Sequence, residues 1–224
     1  IMKHIALLTT LLLSASLQAV EKPYDYVFFE NSLMKGDYFY SQAKYTSPSW
    51  IKNARHHLPV AGSVAFTPGN SLELTYVSAP GGDWYSEIQY CPVRGNDFFR
   101  EPSTLSMQVR LRESMNAAAL PNIAIRYADS TYTQYLNLRN YLKDTRPGVW
   151  HSVSIPLEDF GLNAVNDTNI KKLAAVALRP GTADGNEYTI YLDDIELLPA
   201  SLPSVSALNA PVLQEAKAYE RHID

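Results

Sequence analysis

Cysteine is nearly missing from these 224 residues: Cys91 stands alone, so no intrachain disulfide can form and the thiol reads as a buried apolar group. Basic blocks are missing too. The 19 basic residues are scattered among 23 acidic ones for a net charge of −4, which speaks against nucleic acid as a partner. No apolar run approaches the ~20 residues of a membrane span. The longest, Ile5 to Leu13, follows Lys3 and precedes small and polar residues, so residues 1–19 read as a secretory signal peptide cut after Ala19. No cysteine stands at that cut, which leaves no lipid anchor and a secreted or periplasmic product. Long amphipathic helices are lacking, as are a nucleophile motif, a phosphate loop and zinc-ligand spacing. "RHH" (Arg55, His56, His57) would put its two histidines on opposite faces of a strand, which is a poor metal site.

What is present is strand. "SLELTYV" (71–77) and "TLSMQVRLRES" (104–114) alternate apolar with polar residues, and 122–128, 131–142, 150–157, 173–180 and 188–198 continue the pattern. Turn residues punctuate them at "TPGN", "APGG", "VRGN" (93–96), "RPG" and "ADGN". Several short strands at this spacing, with 46% hydrophobic residues, predict an all-β sandwich with one good core. "PASLPSVSALNAP" is rich in proline, serine and alanine, and we read a linker over 199–209. Ile1 precedes Met2 and the chain stops at "ERHID" without a cap, as expected for part of a longer protein.

The closing strand, "YTIYLDDIELL", contains a phase reversal. Ile190 and Leu192 share one face, while Ile195 and Leu197 point inward with the opposite parity. Only an inserted residue permits this, so a β-bulge is expected at Asp193 and Asp194. The carboxylates there either cap turn amides or collect a cation.

"GVWHSVSIPLEDF" with Trp150, followed some 30 residues later by "YTIYLDDIELL", resembles the jelly-roll carbohydrate-binding modules of secreted bacterial, Bacteroidetes-like glycan-degrading proteins. "VFFENS", with Phe29 and Glu30, resembles their opening strand. The resemblance covers about residues 25–198. It implies a β-sandwich (jelly roll) of two antiparallel sheets, with Trp150 packed under the Ile-Pro-Leu turn. It also implies a structural calcium tying the opening strand to the closing one, with Glu30 and Asp193 or Asp194 as ligands. The tail, 210–224, resembles the start of a fibronectin type III module. The implied function is noncatalytic carbohydrate binding that targets an appended glycoside hydrolase, or a similar secreted enzyme, to a polysaccharide.

A sugar ring offers an apolar C–H face to aromatic rings and a rim of hydroxyls to amides and charged groups. The non-core faces of three strand candidates supply that mixture: Tyr85, Glu87 and Gln89; Arg110; and Tyr135, Asn137 and Arg139. Arg126 joins them, and Arg179 lies on a fifth candidate. Arginine also fits an anionic glycan. Two alternatives stay open: the jelly roll is itself a glycosidase or polysaccharide lyase, or it is a structural spacer without ligand.

Overall fold

The computed structural model describes residues 26–91, 102–163, 165 and 172–199. The expected signal peptide over 1–19, the expected turn at 93–96, the expected linker over 199–209 past its first residue, and the 210–224 tail lie outside the described residues. The strands are β1 (Tyr26–Phe29), β2 (Ser41–Thr46), β3 (Trp50–Ile51), β4 (Val60–Ala61), β5 (Ser71–Val77), β6 (Asp83–Gln89), β7 (Pro102–Leu111), β8 (Asn122–Tyr127), β9 (Leu136–Asn137), β10 (Trp150–Pro156), β11 (Leu173–Arg179) and β12 (Glu187–Pro199). They form two antiparallel sheets. One is seven-stranded, in the order β10-β7-β12-β5-β3, with β1 paired to β12 and β4 to β5. The other is five-stranded, in the order β2-β6-β11-β8-β9.

Alternation explains the sandwich. Leu72, Leu74 and Tyr76 of β5, and Leu105, Met107, Val109 and Leu111 of β7, are all buried beneath one sheet. Trp84 and Ile88 of β6, Ile123 and Ile125 of β8, and Val176 and Leu178 of β11 close over them from the other. Each such side chain contributes roughly 1.5–3 kcal/mol through removal of apolar area from water. Trp84 satisfies its one polar atom by donating to the Ser78 hydroxyl at 2.9 Å. The expected meeting of the opening and closing segments is present, with Tyr26 opposite Leu197 and Phe29 opposite Ile195.

The bulge in β12 is where parity places it. Register shifts between Asp193 and Glu196, and Asp194 has φ 47°, a left-handed value unusual for a residue with a Cβ. The Asp193 carboxylate ties the bulge to the loop at 66–67, which covers it. One oxygen accepts the Phe66 and Thr67 amides at 2.8 and 3.1 Å, and the other accepts the Asp194 amide at 2.9 Å. Asp194 accepts the Thr67 hydroxyl at 2.8 Å.

One segment departs from its sequence pattern. Residues 131–142 alternate like a strand but form a loop, the two-residue β9 and a short 3-10 turn at 138–140. Side chains take the ladder's place. The Ile125 amide donates to the Thr133 hydroxyl at 2.9 Å, and Asn137 accepts the Arg139 amide at 3.0 Å. Such local bonds compete with regular pairing.

Candidate functional site

The outer face of the five-stranded sheet has relief. By register, Gln42, Glu87, Ala177 and Ala124 form one row across β2, β6, β11 and β8. Gln89, Ala175 and Arg126 form the next. Lys44 stands opposite Tyr85, and Arg179 opposite Asn122. Three alanines therefore make a low floor in the middle of the face, and longer side chains lean over it.

They converge on Glu87, which is only 3% exposed. Gln42 donates to it at 2.6 Å, Tyr132 at 2.7 Å, and the Arg126 Nε lies 3.1 Å away. A buried carboxylate needs such a set, since desolvation is costly unless charge and hydrogen bonds are both answered. Tyr132 arrives from the loop after β8, crossing the alanine floor. Burial and the bond to Glu87 push its hydroxyl up to about 12, so it stays a donor at every physiological pH.

Tyr132 and Tyr135 stack with centroids 5.9 Å apart and planes 30° apart. The Arg179 guanidinium sits over both rings, 5.9 and 5.5 Å from their centroids, with Nη1 3.9 Å from Asp83. Lys44 lies over Tyr85 at 5.9 Å. Burial also raises the Tyr135 hydroxyl, against the pull of Arg179. Beside Tyr135, Arg179, Asn122 and Asp83 opens a hollow of about 480 Å³, walled by the loops at 79–82 and 180–183. Its walls sit close against neighbouring backbone. A Cβ on Gly82 would meet the Ser49 amide at 2.2 Å, and one on Gly181 the Leu120 carbonyl at 2.2 Å. Such approach requires glycine.

The loop carrying Tyr132 and Tyr135 is tied to the turn after β10. Gln134 Nε2 donates to the Asp159 carbonyl, and the Tyr141 hydroxyl donates to the Asp159 carboxylate at 2.8 Å.

Aromatic rings beside amides and charged groups, arranged around a hollow on one sheet of a sandwich, suit a sugar chain. The family profile described as carbohydrate binding domain 30 matches residues 25–198. This chain belongs to that family. It is a carbohydrate-binding module. Among solved structures it is 99% identical to a β-1,2-glucanase from Parabacteroides distasonis, with a TM-score of 0.80 over 83% of this chain. The chain spans 27% of that glucanase chain. The family 30 carbohydrate-binding module of a cellulosomal cellulase from Clostridium thermocellum shares the fold, with 17% identity, a TM-score of 0.56, and 80% of this chain matched to 99% of that one. A further family 30 module matches with 18% identity and a TM-score of 0.56, over 85% of this chain and 97% of that one.

The module gathers part of the expected residue set. Tyr85, Glu87, Gln89, Arg126 and Tyr135 come together on the five-stranded sheet. Asn137 lies at its margin and acts structurally, donating to Leu120 and Asn122, each at 3.0 Å, and capping the 3-10 turn. Arg139 is exposed in that turn. Arg110 does not join them. It belongs to β7 in the other sheet, opposite Trp150 on one side and Tyr191 on the other. Trp150 also differs from expectation. It shares parity with Ser152 and Ser154 rather than with buried Val153 and Ile155, and it faces outward with Phe66 edge-on at 6.0 Å. It does not pack under the Ile-Pro-Leu turn.

Tyr132, Lys44, Gln42 and Asp83 were missed as site residues. The alternation of Gln42 and Lys44 in "SQAKYT" was a usable signal for two of them. Arg55 and His56, both at positive φ, form a tight turn rather than a strand, and Arg55 pairs with buried Asp37 at 2.7 Å.

At the bulge the carboxylates bond to the chain itself. Both Asp193 oxygens already accept amide protons. Among the described residues, no group of three or more histidine, cysteine, aspartate or glutamate side chains is placed to hold a metal. Burial first, then the neighbouring Asp194 charge, push the Asp193 carboxyl up to about 8.

Proposed function

We propose that this module binds a neutral β-glucan chain on the outer face of its five-stranded sheet, and that the glucan is β-1,2-linked. The observation that carries the reading is the relief of that face. Tyr85, Tyr132 and Tyr135 offer apolar surface, Asp83, Asn122 and Arg179 offer hydrogen bonds around the hollow, and Gln89 offers another at the far end of β6. The 99% identical β-1,2-glucanase supports the choice of linkage. The arginines favour a neutral ligand over an anionic one, because Arg126 is committed to Glu87 and Arg179 lies over tyrosine rings beside Asp83. The module would hold a catalytic domain of the same chain on its polysaccharide, outside the cytoplasm. No helix among the described residues is long and apolar enough to cross a membrane.

A catalytic role for this face has little support. Among the described residues Asp83 and Glu87 are the carboxylates of this face, and Asp83 lies beside Arg179, 3.9 Å from its Nη1. Glu87 is also held by two hydrogen-bond donors, Gln42 and Tyr132, and by the Arg126 charge.

Calorimetry of the 224-residue chain against soluble β-1,2-glucan, with β-1,3- and β-1,4-linked glucans and an anionic polysaccharide alongside, tests the proposal. Preferential binding of the β-1,2 polymer is expected. Binding of the anionic polymer alone, or of none, contradicts it, and new reducing ends would restore the enzyme reading.

A further inference from the structure

The turn that closes β10, "IPLEDF", reads from sequence as a loop with solvated acids. Its position contradicts that for Asp159. The turn follows a strand of the seven-stranded sheet, yet Asp159 accepts two bonds from the loop that crosses the five-stranded one. Gln134 donates to its carbonyl, and Tyr141 donates to its carboxylate at 2.8 Å. These contacts bracket Tyr135, with Gln134 beside it and Tyr141 six residues on. Burial and the bond to Asp159 push the Tyr141 hydroxyl up to about 12, so the donor persists across the working pH range.

The loop needs such an anchor. Its backbone pairs with the sheet only through the isolated bridge between Arg126 and Tyr132, the Thr133 contacts with Ile125, and the two residues of β9 with the turn after them. The Tyr132 hydroxyl on Glu87 and the Asn137 amide on Leu120 and Asn122 add side-chain bonds at the sheet end of the loop, and leave Gln134 and Tyr141 to hold the other side. Tyr132 and Tyr135 are nevertheless held in a stacked pair with Arg179 above them. Rings held in their bound arrangement lose less conformational entropy when a ligand settles on them.

We infer that Asp159 is a positioning residue for the glycan site: from the opposite sheet, through Gln134 and Tyr141, it fixes the loop that presents Tyr132 and Tyr135. The inference rests on the proposed binding face. It makes the "IPLEDF" turn part of the binding apparatus although it touches no sugar.

Amide hydrogen exchange over residues 128–137 and calorimetry with soluble β-1,2-glucan, run on the 224-residue chain, test it together. Tyr141→Phe and Gln134→Ala each delete one bond and leave the core intact. Each should speed exchange in the loop and weaken binding about fivefold, the worth of one net hydrogen bond, while the melting temperature falls by no more than about 2–4 °C. Asp159→Asn, which keeps an acceptor for Tyr141, should stay close to the parent, whereas Asp159→Ala should follow Tyr141→Phe. Unchanged loop exchange in the Tyr141→Phe/Gln134→Ala double variant overturns the clamp, as does a fall in affinity that only parallels a fall in melting temperature. If the parent binds none of the glucans, the proposed face fails, and faster loop exchange in the double variant alone still upholds the clamp.

Discussion

The two outer faces of the sandwich carry similar residue types in different relief. On the seven-stranded sheet, Trp150, Arg110, Tyr191 and Glu73 stand in one row, with Lys52 bonded to Glu73 at 2.6 Å. Every position in that row is filled by a long side chain. On the five-stranded sheet the comparable row runs Gln42, Glu87, Ala177, Ala124, and the alanines let Tyr132 cross to Glu87 while a hollow opens beside Tyr135. Aromatic and arginine content alone does not make a sugar site. On the proposed binding face, small residues next to tall ones create concavity and give a loop somewhere to lie.

The largest contrast is expected at the two carboxylates. Glu87→Ala strands Arg126 beside a vacated, buried position and removes the anchor of Tyr132. A loss of about 3–5 kcal/mol in urea unfolding is expected, as for breaking a buried pair. Glu73→Ala on the other face removes a pair whose lysine is 51% exposed, worth about 0–1 kcal/mol. Similar losses for both would erase the distinction between the faces.

The next effect sits at the β12 bulge, where the 66–67 loop covers Asp193, and depends on pH. The Asp193 carboxyl is raised from 3.8 to about 8 in the folded state. Between those values the unfolded chain has released the proton and the folded chain keeps it, so stability falls as pH rises. The slope approaches at most about 1.4 kcal/mol per pH unit, and stability levels off above pH 8 and below pH 4. Melting curves across that window should show the parent declining relative to Asp193→Asn. Parallel curves would mean that the three amide bonds to Asp193 outweigh burial and the Asp194 charge.

A smaller effect separates the faces by function. Tyr135→Ala should weaken glucan binding by about 1–3 kcal/mol, by analogy with stacking on other planar ligands, with little change in stability. Affinity electrophoresis reads this directly, and an unchanged migration shift would remove Tyr135 from the site. The smallest effect belongs to Trp150→Ala, which should leave glucan affinity at the parental value despite deleting a large, outward-facing aromatic. A loss there equal to that of Tyr135→Ala would make the relief argument wrong.

Much of the sandwich is legible in the sequence because burial on one face enforces alternation. Leu72, Leu74 and Tyr76 mark β5 to the residue, and the reversed parity of Ile190/Leu192 against Ile195/Leu197 marks the bulge. Alternation also sorted Tyr85 and Glu87 from Trp84 and Ile88. It could not say which sheet a strand joins, which is why Arg110 was grouped with a face it does not share. It was imitated over 131–142, where Thr133 and Asn137 bond backbone by side chain instead of continuing a ladder. The bonds from Gln134 and Tyr141 to Asp159 left no local signal, since each partner is long-range and polar.

The most direct measurement is a crystal structure of the chain with a bound β-1,2-gluco-oligosaccharide. Sugar rings against Tyr85, Tyr132 or Tyr135, with hydroxyls reaching Asp83, Asn122 or Arg179 in the hollow, are expected. Sugar seated over Trp150, Arg110 and Tyr191 instead would contradict the assignment of the binding face.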